Sequence, residues 1–243
     1  MQLHRAQERG RSRLDWLDSA HSFSFGAYRN AARMGWGPLR VLNDDRVAPG
    51  AGFGPHGHRD MEILTWVLSG ELEHRDDRGG HARLPAGTFQ RMRAGRGIVH
   101  SEMNASATER VRFLQIWLEP RVLGLAPDHR EWRPATGGEA AEKKKEEEEE
   151  VRLIASGRSS DAPLDLAADA EVVHLRLAAG RARTVLEGMP SRRGYLHLVR
   201  GALEARGADA HVSLAPGDAL AWQGHGVELT AAADSEALLF DLA

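Results

Sequence analysis

Short runs in which apolar and polar residues alternate recur along much of the chain. Strict alternation at residues 21–25 and 71–75 predicts half-buried strands, and the β-branched and aromatic runs at 63–68 and 111–118 predict buried ones. Turns that contain Gly or Pro, such as residues 84–87, separate these runs, and helical periodicity is scarce. The pattern therefore predicts an all-β fold, an antiparallel barrel or sandwich.

A further apolar run, residues 39–42, predicts another strand. The polar residues Asn43, Asp44 and Asp45 follow it directly. Asn and Asp favour turns because their side chains hydrogen-bond to the local backbone. We therefore expect this strand to end at Leu42 and the chain to turn there.

Two segments recur about 130 residues further along the chain. Residues 65–73 resemble residues 195–204, and residues 84–88 resemble residues 214–218. Self-similarity at one offset predicts a duplicated barrel. At that offset the second copy carries Glu187, Met189 and Thr230 where the first copy carries His56, His58 and His100.

The composition excludes several kinds of functional site and partner. With 243 residues, 42% of them hydrophobic and 28% charged, the chain can bury a sizeable core. A net charge of −3 and a pI near 6.5 leave no basic footprint, so no direct nucleic-acid partner is expected. Cysteine is absent, which excludes disulfides, iron–sulfur clusters and thiol catalysis, and any metal needs His, Asp or Glu ligands. No leader or membrane-spanning apolar run is visible, so we expect a cytoplasmic protein that does not associate with membranes.

A charged run at residues 142–150 marks a boundary between two regions. We expect an N-terminal domain at residues 1–135, a charged linker at 136–150 and a C-terminal domain at 151–243. Such a run is typical of a solvated helix or a flexible linker, and an acidic interaction segment is the alternative.

Two short segments carry residues suited to binding a metal. His56 and His58 are two residues apart, as are His100 and Glu102, so in extended strands each pair projects from one face. If the segments lie side by side, three imidazoles and one carboxylate converge, a donor set that suits iron, manganese, nickel, cobalt, copper or zinc. Four protein ligands leave one or two positions open, as in a catalytic centre.

Several neighbouring residues have more ordinary expectations. Glu62 can bind an imidazole N–H of the centre or pair with an arginine. We expect exposed side chains at His74, His81 and His129. The arginines Arg91, Arg93 and Arg96 are expected on a solvated basic rim, with steering of an anionic substrate as the alternative. Core positions are expected for Trp66, Phe89, Met92 and Trp117, with a substrate pocket as the alternative. The remaining histidines of the C-terminal half lack ligand spacing, and no metal is expected there.

The motifs resemble the pirin branch of the cupin family. Gly50, His56, His58 and Glu62, followed by Gly79, Pro85 and Gly87, have the spacing of the two cupin motifs, and residues 92–102 are similar to the pirin signature. Residues 14–19, 23–25, 39–45 and 238–242 also resemble bacterial pirin-like proteins. Gln90 stands where other cupins carry a histidine, which pirin-like proteins supply later, here as His100.

The resemblance implies two tandem cupin barrels of the jelly-roll type, a bicupin, with one metal in the N-terminal barrel. Its ligands would be His56, His58, His100 and Glu102. The implied activity is that of a quercetin 2,3-dioxygenase, which opens the ring of a flavonol with dioxygen. Glu102 would be both ligand and catalytic base, and iron is the first expectation for the metal, ahead of manganese, nickel, cobalt, copper or zinc.

Two alternatives share this metal site. Some pirins resemble transcriptional co-regulators, in which the oxidation state of the metal alters a surface that binds a protein partner. A structural bicupin, in which the metal only ties two sheets together, is the third possibility.

Overall fold

The computed structural model describes residues 1–134, 149–187, 189–208 and 210–243. Most of the predicted linker, residues 136–148, lies outside the described residues. Glu149 and Glu150, the end of the charged run, begin a strand. The predicted all-β class is confirmed, since the described residues form twenty strands and one short 3₁₀ turn at Ala6–Glu8.

The strands cover most of both halves of the chain. Those of the first half are β1 (Gln2–His4), β2 (Gly10–Arg13), β3 (Leu17–His21), β4 (Leu39–Val47), β5 (Gly52–His58), β6 (Glu62–Ser69), β7 (Glu71–Asp76), β8 (His81–Pro85), β9 (Phe89–Arg93), β10 (Ile98–Asn104), β11 (Val111–Leu118) and β12 (Asp128–Trp132). Those of the second half are β13 (Glu149–Ser156), β14 (Leu164–Asp165), β15 (Ala170–Leu177), β16 (Ala182–Val185), β17 (Arg193–Arg206), β18 (His211–Leu214), β19 (Ala219–Gln223) and β20 (Val227–Leu242).

The first compact unit, called here the N-terminal unit, comprises Arg9–Pro134 and Leu166–Ala168. Its four-stranded sheet has the order β5-β10-β7-β8, and its seven-stranded sheet has the order β12-β9-β6-β11-β4-β3-β2. Leu72 and Leu84 of the smaller sheet pack with Val67 and Phe113 of the larger one. The two sheets therefore face each other across a buried interior.

The second compact unit, the C-terminal unit, comprises Met1–Glu8 and the described residues from 149 to 165 and from Asp169 to Ala243. One nine-stranded sheet runs through it, and the long strands β17 and β20 pair along most of their lengths. Strand β1 pairs with β19, which adds the first residues of the chain to this sheet. The division expected from the sequence had placed residues 1–8 in the other domain, because a three-residue edge strand gives no signal of its partner.

The internal repeat has a matching structural pattern in each unit. The Gly87 amide donates to the Val67 carbonyl at 2.8 Å, and the Gly217 amide donates to the Leu198 carbonyl at 2.7 Å. Both glycines have positive φ angles, 86° and 87°, a conformation that costs residues with a side chain about 1–2 kcal/mol. The same turn therefore closes the same strand in both copies.

Strand β4 differs from the sequence expectation. It continues from Leu39 through Asn43, Asp44 and Asp45 to Val47, whereas we expected a turn after Leu42. It pairs with β11 on one side, and its residues 43–47 also pair with β3 on the other. Pairing on both sides overrides the local preference of Asn and Asp for turns.

Among the described residues, no helix has the length and apolar character needed to cross a membrane.

Candidate metal centre

Strands β5 and β10 bring three histidines together. The two strands are antiparallel, and His56 lies directly opposite His100 in their register. His58 follows His56 on the same face of β5. The ring centroids of the three histidines lie 4.4–4.9 Å apart, and their ligand nitrogens all lie within 4.8 Å of one another. The predicted convergence of the imidazoles is present in the structure.

The three imidazoles are arranged to offer lone pairs. Nδ1 of His56 lies 2.8 Å from the Gly54 carbonyl, to which it donates, so Nε2 is left as an acceptor. Nε2 of His100 is buried and has no hydrogen-bond partner among the described residues. Burial, with the nearby charge of His56, lowers the pKa of His58 to about 4. Burial and the neighbouring histidines lower the pKa of His100 to about 2. Neutral rings are the form that binds metals.

Glu102 lies on the same face of β10 as His100, after a register shift between the two residues. Its carboxylate accepts a hydrogen bond from Gln115 Nε2 at 2.6 Å. The Thr65 hydroxyl lies 3.3 Å from the carboxylate and is shared with Gln115 Oε1, which lies closer, at 2.7 Å. Burial raises the pKa of Glu102 to about 7, and the nearby Asp45 carboxylate adds to the increase. A ligand oxygen of Glu102 lies within 4.8 Å of ligand nitrogens of His74 and His100.

A chain of hydrogen bonds extends behind His100. Its Nδ1 lies 3.4 Å from Nδ1 of His74, and Nε2 of His74 lies 3.2 Å from an oxygen of Asp76. The amides of Arg78 and Gly80 bind the other Asp76 oxygen. Burial alone would raise the pKa of Asp76, but the hydrogen bonds from Gly80, His74 and Arg78 bring it below its ordinary value. An ionised Asp76 favours a proton on Nε2 of His74, which leaves Nδ1 of His74 as the acceptor for His100.

His74 was expected to be exposed, and that expectation was wrong, because its side chain is fully buried. It also forms a possible ligand group with Asp76 and His129. However, the rings of His74 and His129 stack at 4.7 Å with only 10° between their planes. In-plane lone pairs of parallel rings do not converge on one point, so we assign no metal to this group.

A pocket opens beside the three histidines. The free space in it, with the open solvent at its mouth, is about 460 Å³, and its lining includes His56, His58 and Glu102. Its apolar walls come from Leu17, Phe25, Phe53 and Trp117, and its polar wall from Ser12, Ser19, His21, Asn43, Asp45 and Gln115. The Trp117 ring meets the His58 ring edge to face with centroids 4.9 Å apart. Trp117 was expected in the core but lines this pocket, while Trp66, Phe89 and Met92 are buried as expected.

Glu62 and Arg91 each form an ion pair with a residue of opposite charge, which tests two further expectations. Glu62 pairs with Arg93 at 2.8 Å and accepts the amide of Ala167, so the arginine alternative is the one observed. Arg91 was expected on a solvated rim, which was wrong. Its side chain is fully buried and pairs with Asp128 at 2.9 Å.

The residues present fit a divalent metal ion. His100 Nε2 is a buried acceptor with no partner in the part of the chain that the structure describes, His56 presents its Nε2, and a buried carboxylate lies nearby. An imidazole and carboxylate donor set without sulfur suits first-row divalent metals.

Known proteins resemble this chain over both units. Residues 3–118 match the family model described as Pirin, and residues 153–242 match the one described as Quercetinase C-terminal cupin domain. The quercetin 2,3-dioxygenase of Escherichia coli O157:H7 is 40% identical over 99% of this chain and 97% of its own length. A pirin-like protein of Caulobacter vibrioides is 40% identical over 94% of this chain and 93% of its own length.

Solved structures of bacterial proteins have the same fold as this chain. The bacterial pirin YhhW from Escherichia coli, crystallised in complex with nickel(II), matches with a TM-score of 0.88 and 39% identity over 99% of this chain and 98% of that chain. A quercetin 2,3-dioxygenase from Acinetobacter baumannii has the same fold, with a TM-score of 0.77 at 19% identity over 99% of this chain and 85% of that chain. With 40% identity along nearly its whole length and a family model matched in each half, the chain belongs to the pirin family, and the predicted fold of two tandem cupin barrels is confirmed.

Proposed function

We propose that the chain is a metal-dependent dioxygenase that opens the heterocycle of a flavonol such as quercetin and releases carbon monoxide. The observation that carries the proposal is the cluster of His56, His58 and His100 at one end of a pocket with aromatic walls. The predicted enzyme class agrees with the name of full-length relatives at 40% identity. The substrate and the metal of this chain are the finer parts of the proposal.

In this proposal, His56, His58, His100 and Glu102 hold one divalent metal ion. When bound, such an ion lowers the pKa of a coordinated hydroxyl group and so favours its deprotonated form. Nickel and iron are the first candidates. A relative at 39% identity was crystallised with nickel(II), and iron was the first expectation from the sequence.

The side chains of the pocket account for substrate positioning. Phe25, Phe53 and Trp117 offer aromatic surfaces against which a flat flavonol can pack. Glu102 is the candidate acceptor for the proton of the flavonol 3-hydroxyl. Thr65 and Gln115 fix the orientation of its carboxylate, and burial keeps bulk water from competing for the proton.

The test is aerobic consumption of quercetin with detection of carbon monoxide. Metal-free protein would be reconstituted in turn with iron, manganese, nickel, cobalt, copper and zinc. We expect turnover with at least one metal, and we expect His56→Ala to abolish both metal binding and turnover. His211→Ala is the matched control, because His211 lies in the C-terminal unit with its side chain 53% exposed. Metal uptake without turnover in every reconstitution would contradict the proposal.

The role of Glu102 has its own test. We expect Glu102→Gln to reduce turnover by at least about 100-fold, since general base catalysis contributes about that much or more. If Glu102→Gln keeps both the metal and the turnover, Glu102 is neither an essential ligand nor the base.

The regulatory alternative from the sequence stays a prediction. A protein partner captured with the oxidised but not with the reduced metal form would support it.

A further inference from the structure

One wall of the pocket is polar, and it is built by strands β2, β3 and β4. Ser19 and His21 of β3, and Asn43 and Asp45 of β4, lie two residues apart on their strands and line the pocket. In the register of the sheet, Ser19 is opposite Asp45 and His21 is opposite Asn43. The four side chains therefore form a continuous polar patch on the inner face of the sheet.

Most polar groups of this patch form hydrogen bonds with one another. His21 donates from Nδ1 to the Asn43 side-chain carbonyl at 2.8 Å. The Ser12 hydroxyl donates to His21 Nε2 at 2.8 Å. Burial lowers the pKa of His21, which agrees with the neutral ring that this pattern requires.

Asp45 is the exception. Its side chain lines the pocket, the residue is only 3% exposed, and its Oδ1 has no hydrogen-bond partner among the described residues. A buried carboxylate oxygen without a donor is costly, and such groups persist mainly where function requires them. The oxygen is therefore an acceptor that the protein itself does not fill.

The neighbouring Asp44 shows what a structural aspartate looks like on this strand. It points to the opposite face and accepts two hydrogen bonds from Arg112, at 2.7 and 2.9 Å. These contacts outweigh burial and hold the pKa of Asp44 below its usual value. The two consecutive aspartates therefore differ. Asp44 is paired with Arg112, whereas the Asp45 carboxyl has a hydrogen bond from Ser19 but leaves Oδ1 toward the pocket, and burial raises the pKa of Asp45 to about 7.

We propose that Asp45 accepts a hydrogen bond from a second hydroxyl group of the substrate, and so selects polyhydroxylated aromatic compounds. The first hydroxyl would be the one directed to His56, His58 and Glu102. This inference rests on the proposed function for the position of that first hydroxyl, and it names the substrate class more narrowly. A site built to hydrogen-bond a substrate hydroxyl discriminates strongly against the analogue that lacks it, because the acceptor is then left unpaired.

The experiment compares two flavonols in three proteins. Quercetin and 3-hydroxyflavone share the 3-hydroxyl, but only quercetin carries further hydroxyls. The kcat/KM of each would be measured with metal-loaded wild type, Asp45→Asn and Asp44→Asn. The same pair would be titrated into each protein by calorimetry, which reports binding without turnover.

We expect wild type to prefer quercetin, and Asp45→Asn to shrink that preference about 10-fold, because the amide carbonyl would accept from Ser19 and leave an N–H donor where Oδ1 accepts. Metal content should stay that of wild type. Asp44→Asn, the matched control, should lower thermal stability and leave the preference unchanged.

Several results would overturn the inference. They are an equal loss for both flavonols, a loss of metal in Asp45→Asn, and a wild-type preference for quercetin below about threefold, which needs no variant to measure. If wild type turns over neither flavonol, the proposed function fails. The inference about Asp45 is then tested by calorimetry alone, as the ratio of the binding affinities for quercetin and 3-hydroxyflavone. A ratio that drops in Asp45→Asn then supports the hydroxyl acceptor, whereas an unchanged ratio or no binding of either flavonol overturns it.

Discussion

Thr65 in the N-terminal unit and Leu196 in the C-terminal unit occupy the same position in the repeated segment, but they make different contacts. Thr65 is buried and directs its hydroxyl toward Gln115 and Glu102. Leu196 is equally buried and belongs to an apolar cluster with Leu198 and Trp222. Further along the repeat, the buried Gln90 corresponds to the buried Leu220.

The comparison indicates what the two copies kept and what they exchanged. The turns that close the strands are the same, down to the hydrogen bonds of Gly87 and Gly217. The interior differs at these corresponding positions, where the N-terminal unit carries polar side chains and the C-terminal unit apolar ones. Burying polar groups costs free energy unless they are hydrogen-bonded, so the polar interior is expected to be the less stable one. Three sets of substitutions test this contrast.

The largest effect on metal affinity is expected at Asp76. In Asp76→Asn the side-chain amide can donate toward His74, which favours the tautomer with its proton on Nδ1. His74 then no longer accepts from His100, and we expect metal affinity to fall about 10- to 100-fold. Competition with a chromophoric chelator would measure the loss.

Asp77→Asn is the matched control for this change. Asp77 is the adjacent residue, and its side chain is 47% exposed. If both variants bind metal equally well, the hydrogen-bond chain behind His100 does not support the centre.

Exchanging the two interiors at one position gives an intermediate effect on metal affinity. Thr65→Val removes the hydroxyl that Gln115 and Glu102 share, and we expect roughly tenfold weaker metal binding. Leu196→Thr places an unpartnered hydroxyl in the apolar cluster, and the free energy of unfolding should fall by about 3 kcal/mol. Denaturant titration and metal titration of both variants would separate the two outcomes. Weaker metal binding in Leu196→Thr would show that the two interiors are not independent.

The smallest effect is expected at the shared turns. Gly87→Ala and Gly217→Ala each force a side chain into a positive φ, at a cost of about 1 kcal/mol. The loss should be somewhat larger at Gly217, where a new Cβ would lie 3.0 Å from Ala6. Thermal unfolding would measure both, and metal affinity should not change in either. If only one of the two substitutions lowers the thermal stability, the two turns differ in spite of their matching hydrogen bonds.

Much of the fold and part of the site could be predicted from the sequence, because their signals are local. Alternation specifies strands, and His56 and His58 share a face whatever the rest of the chain does. The burial of Arg91 could not be predicted in this way, because a charged strand residue is expected at the surface unless its partner is known. That partner, Asp128, lies on another strand far along the chain.

The polar side of the pocket was missed for a related reason. Asn43, Asp44 and Asp45 are turn formers by local preference, and only pairing with β3 and β11 keeps them in a strand. A weak signal was present, since Val47 resumes the apolar pattern two residues after Asp45. The burial of His74 could not be predicted from the sequence, since alternation alone does not distinguish an inner face of a sheet from an outer one.

The two adjacent aspartates of β4 also bear on how the barrel assembles. If β4 paired with β11 one residue out of register, every side chain on it would exchange faces. Asp45 would then meet the position of Arg112, and Asp44 would enter the pocket in its place. A slipped strand would also carry Val41 and Val47 out of the buried interior, where both lie in the native register. The apolar ends of the strand therefore penalise the misfolded pairing that its acidic centre would tolerate.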